Sequence, residues 1–374
     1  MSDRIARAAL SRLSEPGDTR LAGLVARLGA VKVYELIRDE RELEGGYTDL
    51  ATRLRGLDPE RELEQAAAKD IRFVCPGDDE WPRSMEELNR AEPLQGRGGS
   101  PLGLWVRGRL HLRETCERSV AVVGSRSATT YGAGVAGDIG AHVAEKGLSV
   151  VSGAAFGIDQ AAHRGALAVQ GKTVAVLACG VDRVYPAAHK NLLDYIADVG
   201  LIVSELPPGC SPTRVRFLSR NRLIAALAQG TVVVEAAVRS GALNTANWTT
   251  RLNRVLMGVP GPVTSAPSEG VHELIRTRDA ALVTRGADVL ELVAPVGSFL
   301  PGERRGKDRP RDGLTEKEMR VIEAVPVRTA VPVASIARTA GLAERDVTTA
   351  LTLLKDKRLV EESAGTWRLA ATAL

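Results

Sequence analysis

The chain has 374 residues, enough for two or three domains with cores of their own, and an ordinary globular composition. Its formal charge of +4 leans toward acidic partners without demanding one. Cys75, Cys116, Cys179 and Cys210 are scattered without C-x-x-C spacing and the five histidines form no ligand pattern, which argues against a metal centre or a disulfide scaffold. No run approaches the roughly 18 apolar residues of a membrane span, and the first residues are charged with no apolar leader, so a cytoplasmic protein with no membrane contact is expected.

Residues 1–75 read as an N-terminal helical domain of the SAM or helix-hairpin-helix kind. Leu21 to Arg38 carries Leu24, Val25, Leu28, Val31, Val33, Leu36 and Ile37 on one face. A turn at Gly29 has the look of a helix-hairpin-helix, which offers backbone N–H groups to phosphate; a structural or partner-binding module is the favoured reading. Cys75 to Pro101 is loop-rich and ends in "EPLQGRGGSP".

Residues 76–296 are expected to form an extended Rossmann-like α/β domain. Strands are predicted at Val120–Val123, Leu148–Val151, Thr173–Ala178, Leu201–Ser204, Thr231–Glu235, Val255–Val259 and Ala281–Thr284, most of them separated by helix-sized segments. Near-continuous apolar strands alternating with helices imply a parallel, doubly wound sheet. Residues 297–313 are Pro, Gly and charge, hence a flexible linker. In 314–374, Thr315 with Glu318 makes a capping box, "VASIARTAGLAERDVTTALTLLKDKRL" reads helix, turn and helix, and "VEESAGTWRLA" reads as a two-stranded wing. That order is a winged helix. Its second helix starts with Glu344, Arg345, Asp346, Thr348, Thr349 and Thr352, a poor set for reading base edges, so protein contact or weak duplex binding is expected there.

Two nucleotide motifs fail on context. Gly132-Ala-Gly-Val-Ala-Gly137 spells G-x-G-x-x-G, but the strand before it stops at Gly124, which puts the three glycines inside the helix they should open. They read instead as small residues that let this helix pack closely on the sheet. "GALAVQGKT" has one residue too many for a P-loop and runs from helix into strand. No cofactor is expected.

What does end that strand is Gly124-Ser125-Arg126, a small pair and a guanidinium at the edge where α/β sheets bind ligands. A second cationic stretch, Cys210 to Ala225, holds Arg214, Arg216, Arg220 and Arg222 and no acid, and so calls for an anionic partner or internal carboxylates such as Glu205 and Glu235. Arg214 and Arg216 are expected in a loop, free to meet a ligand, while Arg220-Asn221-Arg222 opens a helix and is partly structural. Phe217 is either a helix-entry staple or a platform for an unpaired base. Ser152-Gly153, Ser240-Gly241 and Lys190 stand near other helix starts and extend the surface. The expected nucleic-acid contacts are therefore Gly124, Ser125, Arg126, Ser152, Gly153, Lys190, Arg214, Phe217, Asn221, Arg222, Ser240 and Gly241. No catalytic residue is expected, and for Asp159, His163, Glu205 and Glu235 buried or capping roles are favoured over acid–base work.

The ordered motifs "VAVVGSRSATTYG", "SGAAFGIDQAAHRGAL", "KTVAVLACGVDRVYP", "SELPPG", "FLSRNRLIAALAQGTVVVEAAVRSGALNTA" and "VPG", spread over residues 104–276, resemble the DNA-processing protein A family, DprA, also called Smf. The resemblance implies a bacterial protein that binds single-stranded DNA without sequence preference, forms a homodimer through the Rossmann-like domain and loads RecA recombinase during natural transformation. Single-strand-binding protein is a further implied partner. It also implies DNA contacts at Arg126, Arg214 and Phe217. The chain departs from the family at Leu218, where proline is usual, and after "SGALNTA", which continues "NWTTRLNR". Two other readings remain, a Rossmann-like enzyme or sensor of nucleoside phosphates with Glu235 as its foothold, and a duplex regulator acting through residues 314–374.

Overall fold

The computed structural model describes residues 1–39, 48–295, 297–299 and 310–371. It has two compact units, Met1–Pro301 and Gly302–Leu374. Most of the expected linker falls at 300–309, outside the described residues.

The first unit opens with helices α1 (Asp3–Leu13), α2 (Thr19–Leu28), α3 (Ala30–Arg38), α4 (Thr48–Arg55) and α5 (Pro59–Ala67). The apolar faces of α1 to α4 meet in one cluster that includes Leu10, Leu13, Leu21, Val25, Val33 and Ile37, while Leu63 and Ala66 of α5 pack in another with Ile71, Phe73 and Trp105. The expected stretch Leu21 to Arg38 is two helices, because Gly29 takes φ +82° and turns the chain within one residue.

A nine-stranded sheet follows, made of β1 (Ile71–Val74), β2 (Leu104–Arg107), β3 (Ser119–Val123), β4 (Ser149–Ser152), β5 (Thr173–Val176), β6 (Leu201–Ser204), β7 (Gly230–Val233), β8 (Val255–Gly258) and β9 (Ala281–Leu282). Their order is β1-β2-β6-β5-β4-β3-β7-β8-β9. From β6 to β9 every pairing is parallel, while β2 joins β6 and β1 joins β2 antiparallel. The seven predicted strands are thus present, most of them a residue or two shorter or shifted. β1 and β2 were not foreseen, and β1 lies inside the stretch expected to be helical. Both carry a basic residue and a large ring in four positions, which mutes the apolar signal of a buried strand.

Alternate side chains of one strand enter opposite faces. Val123, Val151, Val174 and Val233 pack on one side, and Val120, Val122, Val150 and Val232 on the other. The connecting helices are α6 (Leu112–Glu117) before β3, α7 (Thr130–Glu145), α8 (Ile158–Ala168), α9 (Lys190–Val199), α10 (Arg214–Leu227), α11 (Ala242–Arg251) and α12 (Ala266–Thr277), and α13 (Gly286–Val293) follows β9. Since β4 to β6 run out to one side of β3 and β7 to β9 to the other, the strand order reverses between β3 and β7. There the loops at the carboxyl ends diverge and leave an open crevice.

The G-x-G-x-x-G stretch lies within α7, but of its three glycines only Gly137 serves a close contact with another helix. A Cβ at Gly165 of α8 would stand 2.1 Å from the Gly137 carbonyl, and one at Gly140 would stand 2.6 Å from the Ala162 carbonyl, so the two backbones nearly touch. Gly132 abuts the Glu235 carboxylate, and Gly134 faces open space.

The second unit contains α14 (Glu316–Ala324), α15 (Val333–Ala340) and α16 (Glu344–Asp356) with a three-stranded antiparallel sheet of β10 (Val331–Pro332), β11 (Val360–Ser363) and β12 (Thr366–Leu369). Thr315 and Glu318 form the expected capping box. Gly341 closes α15 in the left-handed conformation, and Ala364-Gly365, both at positive φ, make the tight hairpin turn. The third strand, β10, is two residues long and gave no sequence signal.

Candidate nucleic-acid interface

Carboxylate and backbone contacts fix the loop after β3. The Ser125 N–H donates to the Glu235 carbonyl at 2.6 Å, and the Ser125 carbonyl accepts from Ile158 N–H at 3.1 Å. The Glu235 side chain, 2% exposed, accepts from Thr129 N–H at 2.9 Å and Thr129 Oγ1 at 2.5 Å. Glu235 is therefore a clamp that ties the β7 loop to the β3 loop across the switch point. Gly124 is held close on two sides, since a Cβ there would stand 2.6 Å from Ile158 Cγ1 and 2.8 Å from the Glu235 carbonyl.

Held this way, Arg126 is exposed and carries its guanidinium 4.6 Å from the centroid of the Phe217 ring. That is cation–π distance. Among the described residues it has no carboxylate partner. Phe217 in turn lies 5.5 Å from Tyr185, with the ring planes 53° apart. The Phe217 ring, half-buried in the first turn of α10, thus meets side chains of the loops after β3 and β5. Arg214 is exposed and without an ion pair among the described residues.

Several expected contacts are placed differently. Arg214 and Arg216 belong to the first turn of α10, capped by the Thr213 side chain, and not to a loop. Arg216 is taken up by Glu15, with hydrogen bonds of 2.9 and 2.6 Å, and by the Ser211 carbonyl at 2.6 Å. That pairing holds the Glu15 carboxyl below its ordinary range, against the opposing effect of burial. Arg222 is 0% exposed and grips Glu205 in bidentate fashion at 2.7 and 2.6 Å while donating to the Gly99 and Ser219 carbonyls. Asn221 is buried, with its amide on the Gly241 carbonyl at 3.2 Å. Ser152 is buried and donates to the Val122 carbonyl at 2.6 Å, and Gly153 gives its N–H to Asp159 at 3.1 Å beneath the Arg220 guanidinium. Ser152, Gly153, Asn221 and Arg222 thus build the floor of the edge and have no surface to offer a ligand. Only the tertiary contacts with the N-terminal helices and neighbouring strands separate Arg214 from Arg216 and Arg222, because all four arginines of the stretch look alike in sequence.

Ser240 and Gly241 lie at the start of α11, where Ser240 Oγ accepts from Ala242 N–H at 3.3 Å. Lys190 is 69% exposed at the start of α9, with Asp194 at 2.5 Å, which lowers the Asp194 carboxyl below its ordinary value. A surface pair of this kind is weak and exchangeable.

Beneath the edge, Asp159 accepts from Gly153 and Ala155 N–H, and burial drives its carboxyl upward against the pull of Arg220. Burial pushes His163 down to about 3, so it sits neutral beside the Thr173 hydroxyl at 2.7 Å. Cys116 is pushed up to about 12, and Cys75 and Cys179 to about 11, by burial first of all, which keeps these thiols protonated and unreactive. Among the described residues no cluster of His, Cys, Asp and Glu is arranged to hold a metal, and no helix is long and apolar enough to cross a membrane. Two clefts lie away from this edge. One of about 590 Å³ is at the opposite end of the parallel strands near Cys116, Gln229 and Arg254, and the other, of about 540 Å³, is beside Arg72 and Arg107.

Two exposed rings here drew no attention in the sequence, Phe156 after β4 and Tyr185 after β5. The rarity of aromatics, 3% of the chain, was the available signal.

The family model described as DNA recombination-mediator protein A matches residues 72–294. A protein of Mycobacterium tuberculosis that carries the DprA name is 44% identical over 369 residues, covering 96% of this chain and 92% of its own. The crystal structure of DNA processing protein A from Streptococcus pneumoniae superposes with a TM-score of 0.63 at 30% identity, over 81% of this chain and 99% of that one. DNA processing protein A from Helicobacter pylori, reported for its single-stranded DNA binding mode, superposes at 0.50 and 25% identity, over 59% of this chain and 94% of that one.

Proposed function

The chain belongs to the DNA recombination-mediator protein A family, and from that membership we propose that it binds single-stranded DNA without sequence preference along the carboxyl edge of its sheet. Its task there is to load RecA recombinase on the strand in recombination or DNA uptake. The observation that carries this reading is Arg126, exposed at the switch point, seated on Phe217 and without a carboxylate partner among the described residues. A guanidinium takes the phosphate that every nucleotide has, and a ring takes the π-face that every base has, so neither contact depends on sequence. Arg214 extends the cationic track, and Lys190 joins it when it exchanges Asp194 for a phosphate. The role is non-catalytic. Asp159, Glu205 and Glu235 are each engaged in holding loops and helices together, which leaves no paired acid and base at the edge among the described residues.

In this reading the α/β domain forms a homodimer, and single-strand-binding protein is the competitor that must be displaced. Residues 314–374 are a winged helix whose α16, with Glu344 and Asp346 beside Arg345, suits a protein contact or weak duplex binding better than base readout. The test is RecA filament formation on single strands already coated with single-strand-binding protein. The full chain should accelerate it and the R126A variant should not; no acceleration by the parent chain would overturn the proposal.

A further inference from the structure

Phe156 and Tyr185 stand 46% and 44% exposed, in a chain with little aromatic content to leave in water. Neither dangles. The Phe156 ring lies edge-on to His189 at 4.6 Å with planes 69° apart, and buried His189 is fixed through Nδ1 to the Ala154 carbonyl at 2.9 Å. Tyr185 leans on Phe217 at 5.5 Å, and its hydroxyl has no partner among the described residues. Rings that rest on a neighbour and keep nearly half their surface in solvent are placed to receive another flat group, and a ring side chain has only two torsions to fix on contact.

Their placement gives the direction. Arg126 follows β3, Phe156 follows β4 and Tyr185 follows β5, and these three strands are consecutive neighbours in the sheet. Adjacent strands are about 4.8 Å apart, so the three loops span roughly 10 Å along the edge. Phe217, beside them, has the Arg126 guanidinium against its ring and Tyr185 next to it. We infer that Phe156 and Tyr185 are two further base-stacking positions in addition to Phe217, so that a single strand leaves Arg126 and crosses β4 and β5 over a row of rings. This rests on the single-strand reading above.

The experiment is fluorescence anisotropy of labelled oligothymidylate with the full chain, comparing F156A, Y185A, the double variant, F156W, Y185F and R126A, each checked by thermal melting for an intact fold. Loss of one stacked base should weaken binding by about 5- to 150-fold. The double variant should fall further, the salt dependence should stay that of the parent, and F156W and Y185F should restore binding. In F156W the new indole emission should change when the strand binds. If F156A and Y185A bind like the parent while R126A is weakened, the row of rings is wrong and the single-strand reading stands. If R126A also binds like the parent, both fail. A flattened salt dependence in Y185A would mean that the ring only positions a cation, and would likewise overturn the inference.

Discussion

Arg126→Ala removes a charge that no carboxylate shares among the described residues. For single strands, log K falls by about 0.7 per neutralised phosphate for each tenfold rise in salt. With Arg126, Arg214 and Lys190 each meeting one phosphate, the parent slope is about −2 and that of R126A about −1.4. Between about 50 and 200 mM salt the parent should lose roughly 18-fold in affinity and the variant roughly sevenfold. Lys190 shares its charge with Asp194, which makes the parent slope shallower but leaves the difference between the two lines unchanged. Phe217→Ala separates charge from ring: the slope stays, while binding weakens by about 1–3 kcal/mol through lost stacking and a less fixed guanidinium. The assay is a salt titration of oligothymidylate binding followed by anisotropy. Parallel lines for the parent and R126A would refute the assignment of Arg126 to a phosphate.

Glu15→Gln should release Arg216, steepen the salt dependence by about 0.7 and cost about 0.5–1 kcal/mol of stability, the range for a half-exposed pair. Because the Glu15 carboxyl is held below its ordinary 4.5, mainly by the Arg216 hydrogen bonds, that stability is complete above about pH 4.5 and vanishes as pH falls through the depressed value. Thermal melts of the parent and E15Q should therefore converge in acid; a gap that persists there refutes the pairing. Arg222→Ala strands Glu205 and should cost about 3–5 kcal/mol in urea unfolding; a variant of unchanged stability that loses DNA binding would make Arg222 a contact residue after all. Gly134→Ala should leave the fold intact and add about 0.5–1 kcal/mol, since the position is helical and open. Gly165→Ala should cost about 1–3 kcal/mol or more by forcing α8 off α7. Calorimetric melting of the two variants checks the contrast, and equal effects would refute the close helix contact.

The sequence alone determined the parallel core. Its strands are buried on both faces, so each is an uninterrupted apolar run, and the spacing between runs left room for little but helices. It also determined that the G-x-G-x-x-G stretch was helical, because the strand before it ended too soon, and it singled out Arg126 and the arginines from Arg214 to Arg222 as candidate cations of one sheet edge. What it did not determine was which of those cations face outward. That depended on carboxylates far away in the chain: Glu15 lies 201 residues from Arg216, and Glu205 meets Arg222 only once β6 and α10 are packed. The antiparallel strands β1 and β2 escaped notice because they are short and mix charge with rings, and they are held by pairing, β2 to β6 and β1 to β2, more than by their own pattern. Phe156 and Tyr185 took on meaning in the same way. A ring in a loop is ambiguous until the strand order puts the loops after β3, β4 and β5 side by side, and strand order is a property of the whole sheet, set by contacts between residues distant in the chain.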